Sequence, residues 1–168
     1  IATVLSLLEL IDNPRQDVPL IAVLRSPLFG FSPSRLAVIR GGAREGDFLD
    51  ALRADGGEDC RSFLAELEEL RLRSRDLGVG QLLWHLYHRL NVLGIFGAME
   101  GGEQRRENLI ALTEQAQRWE KGGCASVYAF VGQMRRLLES GRAPKVSVGE
   151  ERGGVRILSI HKSKGLEF

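Results

Sequence analysis

A mainly α fold, a multi-helix domain with a short β segment near the C-terminus, is expected from three features of the sequence. Apolar residues recur at helical spacing through most of the chain, Pro and Gly punctuate those stretches, and short β-branched runs appear only after Gly141. The 168 residues, 43% of them hydrophobic, suffice for one compact core.

Each element follows from the local pattern. Val4, Leu5, Leu7, Leu8 and Ile11 form one apolar stripe that stops at Asn13-Pro14, because proline lacks an N–H and restricts the residue before it. Asp17 is a candidate cap for a second, short helix, with Pro19 in its first turn and Leu20, Val23 and Leu24 facing inward before Ser26-Pro27. Ser32-Pro33 repeats the start signal ahead of SRLAVIR. The glycine-rich stretches GGAREGD and DGGED read as loops around a short helix carrying Phe48, Leu49 and Leu52.

A longer helix is expected from Arg61 to Asp76, burying Phe63, Leu67 and Leu70 and turning Glu66, Glu69 and Arg73 to water. Another spans Gln81 to Leu90, with Leu82, Leu83, Leu86 and Leu90 on its buried face. GIFGAMEGGEQ reads as a turn-rich break. Two more helices follow, one with Leu109, Leu112, Ala116 and Trp119 in register, the next with Ser126 as cap and Val127, Phe130, Val131, Met134, Leu137 and Leu138. No segment repeats at a fixed period, so the expectation is a bundle-like domain of about eight helices rather than a solenoid. KVSV and VRILSI, separated by GEERGG, read as two strands. The organisation expected is a helical unit over residues 1–141 and a connecting segment over 142–168.

Composition narrows the function classes. A charged fraction of 27% with a net charge of +1 gives no global basic field, so any nucleic-acid contact must be local. Cys60 and Cys124 stand far apart without a CxxC pattern and read as ordinary thiols of a reducing, cytoplasmic setting. The apolar start is interrupted by Glu9 and Asp12 and lacks a basic n-region, so neither a signal peptide nor a membrane span is expected. The missing initiator Met suggests a piece of something longer.

Few residues offer chemistry of their own. His85 and His88 lie at i and i+3 but lack a further ligand at zinc spacing, so no metal site is expected. Glu66, Glu68 and Glu69 offer carboxylates for acid–base work, but with Arg71, Arg73 and Arg75 nearby they read as a solvated helix face. Arg105 and Arg106, in GGEQRREN, stand at a helix start where phosphate contacts do occur, but a solvated turn is the favoured reading. No GxxxxGK[ST] loop, Gly-x-Ser-x-Gly elbow or EF-hand loop is present. A free-standing enzyme is therefore disfavoured.

SIHKSKGLEF is the dense exception. A strand ending in Ser159, followed by His161, Lys162, Ser163 and Lys164, places hydroxyl, imidazole, ammonium and backbone donors over a short distance, and Gly165 permits close backbone approach. Such a cluster suits phosphate. The run also closely resembles motif V of the UvrD-like superfamily 1 helicases, a Thr or Ser, an aliphatic residue, His, two variable positions and Lys-Gly-Leu-Glu-Phe. IDNPRQDVPLIAVLRSPLFGFS, FGAMEGGEQRRENLIALTEQAQRWE and YAFVGQMRRLLESG resemble the helical region upstream of that motif in AddA-type helicase-nuclease subunits of bacterial AddAB recombination complexes.

The resemblance implies a 2B-like helicase subdomain running into the first strand and motif V of a 2A motor domain. It implies that Ser159 and His161 meet the single-stranded DNA backbone, that Lys162 and Lys164 reinforce this electrostatically, and that Gly165 and Glu167 lie near the nucleotide. VRILSI would be a central strand of a RecA-like parallel sheet. In the segment alone, Val155 to Ile160 is expected to pair with Lys145 to Val148, to pair with another copy, or to be poorly ordered. The parent would use ATP and Mg, act on single-stranded and duplex DNA in double-strand break repair by homologous recombination, and pair with an AddB-type subunit. The segment lacks the Walker and nuclease motifs, so no cofactor of its own is expected. The alternative is a protein-docking module without appreciable DNA binding, for which Phe29, Phe31 and Trp119 are candidate exposed aromatics.

Overall fold

The computed structural model describes residues 1–123 and 126–140, and every regular element among them is a helix. In order these are α1 (Ala2–Asp12), α2 (Asp17–Leu24), α3 (Pro33–Gly42), α4 (Phe48–Asp55), α5 (Glu58–Arg73), α6 (Val79–Arg89), α7 (Val92–Gly97), α8 (Gly102–Lys121) and α9 (Val127–Glu139). The fold is mainly α, as expected. The two expected strands and the expected change of character after Gly141 lie outside the described residues.

α1 is the axis of the core. Val4, Leu5, Leu7, Leu8 and Leu10 have no exposed surface, and a helix apolar nearly all round must be enclosed by others. Here α2, α5 and α9 enclose it. The helix ends where expected, at an extended Asn13 ahead of Pro14. Arg71 of α5 donates from Nε to the Ile11 carbonyl at 3.2 Å, satisfying one of the acceptors that a helix end leaves free.

Local capping sets the next helices. The Ser32 hydroxyl accepts from the Arg35 N–H at 3.1 Å with Pro33 at the helix start, and the Asp47 carboxylate accepts from the Asp50 N–H at 3.0 Å. Asp17 departs from expectation. It is the first residue of α2 rather than its cap, and its carboxylate crosses to accept from the Phe48 N–H at 2.7 Å and from Arg40 Nη2 at 3.2 Å. The free donor at the start of α4 thus takes the acceptor that local pattern assigned to α2.

Gly41 and Gly42, expected in a loop, close α3, and α5 begins at Glu58, one turn before the expected start. Glu58 and Asp59 in its first turn and Arg71 and Arg73 in its last complement the helix dipole.

α6 and α8 run antiparallel. At one end the Gly80 N–H donates to Glu120 Oε1 at 3.0 Å; at the other the Tyr87 hydroxyl donates to the Leu109 carbonyl at 3.0 Å. α7 fills the first part of what reads in sequence as a break, leaving only Ala98 to Gly101 as the turn and adding one helix to the expected number. That corner is tight. A Cβ on Gly102 would stand 1.8 Å from the Gly97 carbonyl oxygen, and Gly101 turns with φ 66°.

Of the aromatics expected at the surface, Phe31 is buried and Phe29 and Trp119 are half-buried. Phe29 meets Phe63 edge-on at 4.9 Å, Phe31 is 8% exposed, and Trp119 packs against Phe130 at 6.3 Å. Phe63 of α5 and Phe130 of α9 meet rings that a linear reading leaves in loops or at a helix end. Leu90 is half-buried, and Leu138, expected inside, is exposed at the end of α9.

Candidate nucleic-acid interface

The residues with the strongest sequence signal for DNA and nucleotide, Ser159, His161, Lys162, Lys164, Gly165 and Glu167, lie outside the described residues. The described helices precede them in the chain. α9 is locked to α1 in antiparallel fashion: Arg135 donates from Nε to Glu9 Oε1 at 3.0 Å, and from Nη2 to Glu9 Oε2 and the Ser6 hydroxyl, both at 2.9 Å. Ser6 is buried, so this arginine satisfies a group that has no access to water. A bidentate guanidinium–carboxylate pair fixes direction as well as distance.

The arginines of the helical part are largely spent within it. Arg35 donates to Asp59 at 2.7 and 2.8 Å and to Asp55 through both Nη atoms, joining α3 to the ends of α4 and α5. Its hydrogen bonds hold the Asp59 and Asp55 carboxyls below their ordinary values, and they in turn raise its own. Arg15 spans Asp47 and Asp50, Arg89 of α6 holds Glu66 of α5 at 2.7 and 3.0 Å, and Arg40 lies over the Phe48 ring at 5.1 Å. Arg71 and Arg73 answer Glu68 and Glu69, so the acidic run on α5 is a set of ion pairs, as its spacing suggests. Arg105, at the start of α8, donates to the Glu100 carbonyl at 2.9 Å.

Arg25, Arg44 and Arg75 have no ion-pair partner among the described residues. They stand on three different connections, after α2, after α3 and after α5.

Asp55, Asp59 and Cys60 bring their donor atoms within 4.8 Å of one another, the one such group among the described residues. The Arg35 guanidinium already sits among them, with Cys60 Sγ 3.5 Å away. Burial, with the hydrogen bond to Asp55, pushes the Cys60 thiol up to about 12, so it is neutral at physiological pH. The arrangement is an ion-paired joint. Sequence reasoning places DGGED in a loop and misses it; the signal available was the i, i+4 spacing of Asp55 and Asp59 across two glycines, with nothing local to point to Arg35. His85 and His88 lie along α6, where the His88 ring stands 6.0 Å from that of Trp84.

No helix among the described residues is long and apolar enough to cross a membrane. No protein-family model matches the chain. Curated relatives do. The chain is 42% identical over its whole length to the AddA-type ATP-dependent helicase/nuclease subunit of Clostridium novyi, covering 15% of that protein. It is likewise 42% identical over its whole length to the same-named protein of Lactobacillus delbrueckii subsp. bulgaricus, and 43% to that of Desulforamulus reducens, covering 14% of each. The similarity extends through the run SIHKSKGLEF. As a segment spanning about 15% of those relatives, the chain belongs to the AddA family of ATP-dependent helicase/nuclease subunits.

Proposed function

We propose that this segment is the helical accessory subdomain of an ATP-dependent DNA helicase-nuclease, joined at about residue 141 to the motif V edge of its motor, and that the whole protein serves double-strand break repair by homologous recombination in the cytoplasm. The helical part helps position DNA and couples the motor to unwinding, while Ser159, His161, Lys162 and Lys164 meet the single strand. Gly165 and Glu167 lie on the nucleotide side, and ATP with Mg binds through motifs elsewhere in the whole protein, which pairs with an AddB-type subunit.

The observation that carries this reading is the end-to-end similarity to relatives named as helicase/nuclease subunits. The distribution of charge supports it. Residues 142–168 hold six Lys and Arg against three Asp and Glu, whereas residues 1–141 hold 17 against 19. Phosphate attraction therefore concentrates in the short segment that carries motif V.

Fluorescence anisotropy with a single-stranded oligonucleotide and a duplex of equal length tests it. Binding to the single strand should weaken as salt rises, with a log–log slope of about −0.7 per phosphate neutralised. Replacing both Lys162 and Lys164 by Ala should flatten that slope by between one and two phosphates. Binding with unchanged salt dependence in the double variant rules out the assignment of these lysines.

A second reading, a docking surface for the partner subunit, is favoured by one specific observation: nine arginines of the helical part are already ion-paired inside it. Those side chains are committed to holding the fold. Co-purification with the partner subunit under conditions where no oligonucleotide binds would favour docking over DNA positioning.

A further inference from the structure

α1 ends with its negative charge only partly answered. Carboxylates at Glu9 and Asp12 stand in the last turn, where the carbonyl end of the helix is itself negative and no basic residue of α1 is present. Two neighbours compensate in part: Arg135 takes Glu9, and Arg71 takes the Ile11 carbonyl. Asp12 is exposed and has no partner among the described residues.

Asp12 borders a cleft of about 130 Å³ between α1 and α9, with Val131 at its base and the fully buried Leu8 beneath. At about 30 Å³ per water, that is room for some four waters, the scale of one long side chain rather than of a nucleotide or a helix. Tyr128 stands at its rim with 74% of its surface exposed, an aromatic face beside a free carboxylate. Gly132, in the middle of α9, opens onto the same cleft. Among the described residues a Cβ there would meet nothing within 4 Å, and its φ is not positive, so neither their packing nor backbone geometry calls for glycine, the poorest helix former after proline.

We propose that this cleft receives a basic side chain, arginine or lysine, presented by a second protein chain, with its methylenes along Val131, its charge against Asp12 and its cationic head beside the Tyr128 ring. The occupant is chosen by charge: a helix C-terminus with an unpaired aspartate repels phosphate and carboxylate and attracts a cation. The proposal rests on the docking reading, and it assigns that reading a place.

The test is NMR of the full 168-residue chain, labelled with nitrogen-15 and titrated with acetyl-Gly-Arg-Gly-amide, beside the same peptide carrying neutral citrulline. The arginine peptide should shift the amide signals of Asp12, Gln16, Tyr128 and Gly132 in a saturable way, and the citrulline peptide should not. Asp12→Asn should weaken the effect at least about threefold, the size of one exposed charge pair. Gly132→Met, which fills the cleft with a better helix former, should abolish it while leaving the rest of the spectrum in place. Equal shifts with citrulline, indifference to Asp12→Asn, or silence at these four residues overturns the proposal, the last also covering a cleft filled from within the chain itself. Because the readout uses α1 and α9 and no nucleic acid, its failure leaves the oligonucleotide titration to judge the helicase reading separately.

Discussion

The α1–α5 part of the molecule and the α6–α8 part are held together by different means. In the first, α2, α3 and α4 are short, and arginines tie helix ends: Arg15 to Asp47 and Asp50, Arg40 to Asp17, Arg35 to Asp55 and Asp59. In the second, α8 alone runs 20 residues, and two of the joints are close contacts with backbone, Tyr87 against the Leu109 carbonyl and Gly102 against Gly97. Ion pairs tolerate small displacements but depend on pH and salt. Close backbone contact ignores both and tolerates no added atom. One part should therefore be chemically sensitive and sterically forgiving, and the other the reverse.

The sharpest break of that contrast is Gly102→Val. Its Cβ must displace the Gly97 carbonyl, and the loss expected is about 3 kcal/mol, at the upper end for overpacking, read from urea denaturation. A loss below about 1 kcal/mol would mean that the corner relaxes and that the α6–α8 part is not steric in character. Next in size is Arg135→Ala, which strands the buried Ser6 hydroxyl and the Glu9 carboxylate, for about 2 kcal/mol by the same assay. Arg135→Lys should recover only a part, since an ammonium lacks the planar fork.

Acid should then separate the two parts. Asp55 and Asp59 have folded values below the unfolded ones, so their contribution is complete above about pH 4 and is lost progressively as pH falls below it. Hydrogen exchange at pH 3 should show amides of α3 and α4 losing protection before those of α6 and α8; simultaneous loss would erase the distinction. Cys60 acts in the other direction. Its value is raised, so the stability it contributes is present below about pH 8.5 and lost as pH climbs toward 12. Iodoacetamide at pH 8 should leave Cys60 unmodified in the folded chain, and peptide mapping after urea should find it labelled. Smallest of all, Arg73→Ala removes a largely exposed pair with Glu69 and should change stability by less than about 0.5 kcal/mol.

Those contrasts also mark what sequence can reveal. Period and punctuation locate eight of the helices described, because an apolar stripe with Ser32 or Ser126 ahead of it is a local fact. α7 escapes: six residues, two of them glycine, have no propensity that distinguishes them from a turn, and it is packing on α8 that makes them helical. Arg35 meets Asp55 and Asp59 across 20 and 24 residues, and no periodicity reports a partner at that distance. The fate of Asp17 is of the same kind, decided by a free N–H on another helix. The run SIHKSKGLEF is the opposite case: its resemblance to motif V is read from ten consecutive letters, and its residues lie outside the described ones.

The antiparallel lock between the first and last helices described has a mechanical consequence. Ser6 and Glu9 face Arg135, so the start of α1 and the end of α9 lie at the same end of the pair, each within about 8 Å along its axis of that clamp. Tension applied through those two ends does not shear the helices past each other, which would load every contact at once. It peels them apart from one side, so the Arg135 clamp bears the load first and the remaining contacts yield in sequence at low force.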